Sequence, residues 1–249
     1  MTLSAVVITL NEEENIESCL ESVRWADEIV VVDGGSRDET MALARKYTDK
    51  VFRIPFKDFS TQKNEAIRKA SGDWILILDA DERVTPRLKS EISEIVQQDK
   101  EECVYGIKRQ TFFFGKRLGF SGTQDDYPIR LFPRGKAHYA QPVHEELVTK
   151  LDVEYLHQTI VHFSTQDRKH YQEKLDRYIP LELKVIQNRG QSVRRMDPYL
   201  RASGKFLFLY IWKSGWRDGW AGFQYARLSA YYVFLKYQRF LKAFGRGGS

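Results

Sequence analysis

The chain holds only two cysteines, Cys19 and Cys103, in 249 residues. They form no C-x-x-C pair, which excludes a disulfide scaffold and a zinc knuckle and makes reduced thiols in a cytosolic compartment the expectation. No G-x-G-x-x-G follows the first apolar segment and no G-x-x-x-x-G-K-[ST] occurs anywhere. Dinucleotide hydride transfer and P-loop triphosphate hydrolysis therefore lose their main sequence support. The start of the chain lacks the basic segment and small-residue cleavage site of a signal peptide, so export is not expected. Uncharged apolar stretches such as 206–212 and 228–235 are cut short by Lys213, Arg227 and Lys236. None reaches the roughly 18 residues of a spanning helix.

What is present is ordinary in bulk and uneven in detail. Hydrophobic residues make up 42% and charged residues 29%, enough for one large α/β domain or for one domain with an appended element. Residues 184–249 carry a net charge of +11 and residues 1–183 carry −6, so the overall +5 is a property of the tail. No internal repeat stands out.

The first hundred residues read as four strand–helix units. Residues 3–8 are nearly all apolar and meet a polar turn at 9–13, followed by an amphipathic stretch with Ile16, Cys19, Leu20 and Val23. Residues 28–32 end at Asp33 and a Gly34-Gly35-Ser36 turn, ahead of a helix over 38–47. Residues 51–54 precede a helix through Ala70 for which Ser60 is the expected N-cap. Residues 74–78 lead into Asp79-Ala80-Asp81-Glu82 and a helix opening at Pro86, with Leu88, Ile92, Ile95 and Val96 on one face. Apolar strands without alternation, separated by helices, predict a parallel sheet covered on both faces, with ligands beyond the strands' carboxyl ends.

Asp79 and Asp81 stand where a buried strand runs out. In extended backbone, side chains two apart share a face, and two carboxylates so placed demand a cation. A hard divalent ion such as Mg²⁺ or Mn²⁺, completed by substrate phosphates, answers that demand. Acidic caps of the following helix are the competing account. Asp33 also ends a strand and is followed by small residues that admit a ligand to the backbone.

Four ordered segments carry a resemblance: Val6-Val7-Ile8-Thr9-Leu10-Asn11-Glu12-Glu13; Val31-Val32-Asp33-Gly34-Gly35-Ser36-Arg37-Asp38-Glu39-Thr40; Gln62-Lys63-Asn64; and Gly72 through Leu78-Asp79-Ala80-Asp81-Glu82. Together they resemble glycosyltransferase family two, with its GT-A fold. Asp126-Tyr127-Pro128-Ile129-Arg130-Leu131-Phe132, Val143-His144-Glu145 and Gly215-Trp216-Arg217-Asp218-Gly219-Trp220 extend the likeness to the branch of bacterial lipopolysaccharide core β-glucosyltransferases. Gly34, where the branch usually has serine, and Arg37, where threonine is common, depart from it.

The resemblance implies an α/β GT-A catalytic domain over 1–165. Residues 1–100 would be its nucleotide-sugar half, 101–165 its acceptor half, and 166–249 a helical, membrane-associating extension. It implies inverting transfer of a sugar, glucose in this branch, from a UDP-sugar to a hydroxyl of a glycolipid or oligosaccharide acceptor. Leu10, Asn11 and Glu12 would frame the nucleoside, Asp33 would meet the uracil, Lys63 and Asn64 would approach from the third helix, and Asp79, Ala80 and Asp81 would reach ribose and metal. Inversion needs one carboxylate base, for which Asp126 is preferred to Glu145. His144, and after it His162, would complete the metal shell, against the competing account of a hydrogen-bonded core histidine. Transfer to a polyprenyl phosphate and a catalytically dead nucleotide-sugar scaffold are the alternatives.

Residues 199–244 hold 15 of the chain's 33 aromatic residues, interleaved with Arg and Lys. That mixture suits a helix lying in an anionic headgroup layer, which implies a peripheral location on the inner face of a bacterial inner membrane. Packing on the catalytic domain or another subunit is the competing account. Nothing resembles a nucleic-acid-binding motif.

Overall fold

Every residue of β1 (Leu3–Thr9) is buried, because helices cover the central sheet on both sides. The computed structural model describes residues 1–98, 102–141 and 146–244. After β1 come α1 (Ile16–Ser22), β2 (Glu28–Asp33), α2 (Thr40–Ala44), β3 (Val51–Arg53), α3 (Phe59–Lys69), β4 (Trp74–Asp79), β5 (Glu82–Val84) and α4 (Pro86–Gln98). Then follow β6 (Cys103–Phe113), β7 (Lys116–Arg117), β8 (Ile129–Pro133), β9 (Ala137–Ala140), β10 (Glu146–Thr149) and β11 (Asp152–Thr165). The chain ends with α5 (Arg168–Asn188), α6 (Asp197–Leu207) and α7 (Gly219–Phe244), the last two joined through a π turn over Phe208–Trp212 and a 3₁₀ turn over Gly215–Asp218.

Alternation along the strands divides the core. Leu3, Ala5 and Val7 share one cluster with Ile16, Cys19 and Leu20 of α1 and Leu88, Ile92 and Val96 of α4. Val6, Ile8, Ile75 and Ile77 share the other with Ala66 and Ile67 of α3. With both faces covered, the strands are apolar apart from positions such as Ser4, whose hydroxyl donates to Glu28 and accepts from Gly72 N. The large sheet runs β3-β2-β1-β4-β8-β6-β11-β5, with β7 paired to β6, and β9 and β10 form a separate hairpin. The architecture is α/β as expected. Its parallel part is β3, β2, β1 and β4, whereas β8 enters antiparallel to β4 and to β6. Register sets Asp33 opposite Thr9 and Asp79 opposite Ile8, so the carboxyl ends of β2 and β4 flank that of β1.

Several local expectations are corrected. Asp58, not Ser60, caps α3: its extended backbone lets the carboxylate accept from Thr61 N at 2.8 Å, while Ser60 lies within the first turn. The second helix is shorter than 38–47, because Asp38 accepts from Thr40 N and Oγ1 and delays its start. Asp79 closes its strand and Ala80-Asp81 form a turn, so the extended geometry assumed for the carboxylate pair does not apply.

The chain divides into two compact units, 1–110 with 126–162, and 111–125 with 163–249. Residues 111–125, expected in the acceptor half, thus belong with the helical extension. In that second unit α5 and α7 share the small cluster of Ile186, Tyr237 and Phe240. The buried carboxylate of Glu182 accepts from Tyr232 Oη and Lys236 Nζ, both at 3.1 Å. Among the described residues no helix is long and apolar enough to cross a membrane.

Candidate active site

The first two loops at the carboxyl end of the sheet are tied to each other by backbone and short polar side chains. Asp33 is fully buried, and its Oδ2 accepts from Gly35 N at 2.8 Å and Ser36 N at 2.9 Å, while Oδ1 accepts from Ser36 Oγ. Gly35 takes φ +111°, where a side chain would be strained. Asn11, itself left-handed at φ 53°, donates its N–H to Ser36 Oγ at 2.8 Å and accepts from Arg37 N at 2.9 Å. Glu12 donates its N–H to Thr40 Oγ1 at 2.8 Å, and its carboxylate accepts from Asn15 at 2.7 Å. Leu10 is half-buried in the same turn. The departure at Gly34 has a packing cause: a Cβ there would lie 3.1 Å from Phe56 Cβ and 3.4 Å from Leu10 Cβ.

At the end of β4 the carboxylates meet cations from three other elements. Asp79 Oδ1 lies 3.3 Å from Lys63 Nζ, and Oδ2 lies 2.5 Å from Arg130 Nη2 and 3.4 Å from Arg109 Nη2. Glu82, buried completely, takes Arg130 Nη2 at 2.7 Å and Arg109 Nε at 2.8 Å on the same oxygen, and its other oxygen accepts from Asp79 N at 3.0 Å. Arg109 then reaches Asp126 Oδ2 at 3.3 Å, and its backbone N–H donates to the Asp126 carbonyl at 2.9 Å. Burial alone would raise the Asp79 carboxyl. The positive charges of Arg130, Lys63 and Arg109 outweigh it and hold the group well below the usual carboxylate range. Burial likewise opposes the charge on Arg109, and Glu82 leads the carboxylates that keep it protonated.

This geometry corrects the cation argument: the charge that Asp79 demands is supplied by the protein. Asp79 therefore does not fit a metal ligand. Asp81 is different. Its Oδ2 stands 3.5 Å from His162 Nε2, because β11 pairs antiparallel to β5 with His162 opposite Glu82. His162 Nδ1 is buried with no hydrogen-bond partner. Among the described residues no three His, Cys, Asp or Glu side chains converge as a complete metal cage. A carboxylate and an imidazole still fit a partial shell that a diphosphate and waters complete. His144, expected first, and Glu145, the alternative base, lie outside the described residues.

Two further expectations change role. The Asn64 side-chain amide bonds both backbone groups of Tyr139, each at 2.8 Å, which makes it a brace between α3 and β9. The carbonyl of Ala80 accepts from Arg83 Nη1 at 2.7 Å. Lys63 is brought to the site: it is 1% exposed, with its ammonium 5.1 Å from the Tyr139 ring centre. Sequence reasoning missed Arg109, Arg130 and Glu82 as members of the site. A third carboxylate, Glu82, directly after the paired aspartates at the end of an apolar strand was the available signal, since acids so crowded require cationic partners.

A model of Glycosyl transferase family 2 matches residues 4–143. The lipopolysaccharide core biosynthesis glycosyltransferase LpsC of Rhizobium meliloti is 31% identical over 243 residues, covering 94% of this chain and 90% of that protein. An uncharacterised glycosyltransferase of Rickettsia typhi is 30% identical over 161 residues, covering 62% and 55%. Among solved structures, glucosyl-3-phosphoglycerate synthase from Mycobacterium tuberculosis with Mg²⁺ and UDP is similar at TM-score 0.37 and 24% identity, covering 44% of this chain and 43% of that one.

Proposed function

The chain belongs to glycosyltransferase family 2, and from that premise we propose that it moves a sugar from a UDP-sugar to a hydroxyl of a lipopolysaccharide core or related glycolipid, with inversion. Glucose is the sugar its branch implies. The observation that carries the reading is the cluster at the end of β4, where Asp79, Glu82 and Asp126 are matched by Lys63, Arg109 and Arg130. Three carboxylates and three cations neutralise one another within this ion-paired set, so the set itself offers a leaving diphosphate little positive charge. A divalent ion, when bound, would supply that charge, and Asp81 and His162 are the residues that would hold it.

Asp126 is the base in this reading. Its side chain is 37% exposed, against 28% for Asp79 and none for Glu82, so it is the carboxylate of the cluster most open to an acceptor. Arg109 holds it by main chain and side chain together. The acceptor oxygen attacks the anomeric carbon, the bond to the diphosphate oxygen breaks, and the acceptor proton passes to Asp126. Leu10, Asn11 and Glu12 would form the nucleoside wall, and Asp33, buried with both oxygens bonded to Gly35 and Ser36, would hold that loop in shape rather than meet the uracil directly. Work on a lipid-linked acceptor fits a peripheral location on the inner face of the inner membrane, and the basic, aromatic 199–244 segment supports it.

Purified protein given a panel of UDP-hexoses with Mg²⁺ or Mn²⁺ is expected to release UDP at a rate that rises with core oligosaccharide acceptor. Stimulation by polyprenyl phosphate alone would favour the alternative acceptor. Donor binding without turnover on any acceptor would favour a scaffold.

A further inference from the structure

The joint between α6 and α7 exposes Ile211 at 60%, Trp212 at 80%, Trp216 at 58% and Trp220 at 71%. Three open indoles within nine residues are an apolar surface that a water-facing turn does not carry. The same joint grips the 119–125 loop of its own unit. Asp218 Oδ1 accepts from Gly119 N at 2.9 Å, and Oδ2 accepts from Phe120 N at 3.0 Å and Ser121 Oγ at 2.9 Å. Ser121 N donates to the Lys213 carbonyl at 3.0 Å, Lys213 Nζ pairs with Asp125 at 2.9 Å, and the Arg217 guanidinium lies 4.1 Å over the Phe120 ring. A Cβ on Gly215 would come within 2.8 Å of Ser121 Oγ, so close approach is built into the backbone.

We propose that this joint is the element that enters an anionic bilayer, with Trp212, Trp216 and Trp220 at headgroup depth, and that Asp218 makes the 119–125 loop part of the same inserted piece. The occupant is a lipid surface because the exposed indoles combine with a +11 charge over 184–249. Of that segment's two acidic residues, Asp218 is spent on the loop and Asp197 faces Arg201 at 3.7 Å. Indoles settle where an apolar body and a polar edge are both satisfied, and lysine and arginine beside them meet lipid phosphates. The expected helix lying flat in the headgroups is replaced by a helical hairpin presenting its turn. The proposal rests on the reading of a lipid-linked acceptor.

The test uses the full chain and vesicles of phosphatidylcholine with or without phosphatidylglycerol. W212A/W216A/W220A is expected to lose roughly 100-fold in affinity for the anionic vesicles. Lipids brominated in the upper acyl chain should quench tryptophan emission of the wild type and not of the triple variant. Deuterium uptake over 119–125 should slow on vesicle binding in the wild type, and Asp218→Ala should abolish that slowing while still pelleting with vesicles. Equal pelleting of wild type and triple variant, or uptake in 119–125 indifferent to vesicles, would overturn the proposal. UDP release with a soluble, delipidated acceptor separates the two readings: the triple variant should retain it, and its absence in the wild type would count against glycosyl transfer while leaving the vesicle result to stand by itself.

Discussion

Replacing Arg130 by methionine is expected to destabilise the protein by about 3–5 kcal/mol, the usual consequence of removing one partner from a buried ion pair. Arg130 is 1% exposed, and its Nη2 is shared between Asp79 and Glu82. Methionine fills much of the space and, among the described residues, leaves those carboxylates with Lys63 and Arg109 as ion-pair partners. Arg130→Lys keeps a charge but not the planar fork, and should recover only part of the loss. Urea denaturation measures both.

The pH dependence gives the sign. Asp79 has a folded pKa depressed below its ordinary 3.8, so its contribution is fully present above that value and is lost as pH falls through the folded one. Wild-type stability should therefore decline in acid below about pH 4. In Arg130→Met the uncompensated carboxylate charge is relieved by protonation, so the deficit against wild type should shrink as pH falls from 7 toward 4. A deficit constant with pH would mean that lost packing, not lost charge, is responsible.

Asp126→Asn is the second large effect. Loss of a general base costs typically 10²–10⁴-fold in rate, and the amide keeps shape and a contact to Arg109. Sugar transfer should fall by about that range while UDP affinity stays unchanged, because in the proposed reading Asp126 takes the acceptor proton and does not hold the nucleotide. Full activity in Asp126→Asn together with loss in Glu145→Gln would move the base to Glu145.

What the sequence made legible was what neighbouring residues decide. Residues 3–8, 29–32 and 74–78 are apolar but for Ser4 because helices cover both faces of their sheet, and the polar turns after them mark the end at which Asp33 and Asp79 stand. Partnerships across long sequence separations were not legible. Arg109 and Arg130 reach Glu82 through the antiparallel entry of β8 between β4 and β6, with an irregular register at Tyr105 and Gly106, which no local pattern encodes. Asn64 is a natural ligand residue on a helix, yet its partner is the backbone of Tyr139, 75 residues away. Asp218 appeared only as part of a motif, and its bonds to the 119–121 loop span 97–99 residues. Ser60 was the expected helix cap, but Asp58 is also a residue type that caps well, and its extended backbone makes it the cap instead.

Titration of UDP into the protein by calorimetry, with and without Mn²⁺, in wild type and in Asp81→Asn, bears most directly on the site at the end of β4. Mn²⁺ should tighten UDP binding to the wild type by at least about tenfold, and that gain should vanish in Asp81→Asn while metal-free affinity is preserved. UDP affinity indifferent to Mn²⁺, or an undiminished gain in Asp81→Asn, would contradict a metal-held diphosphate at Asp81.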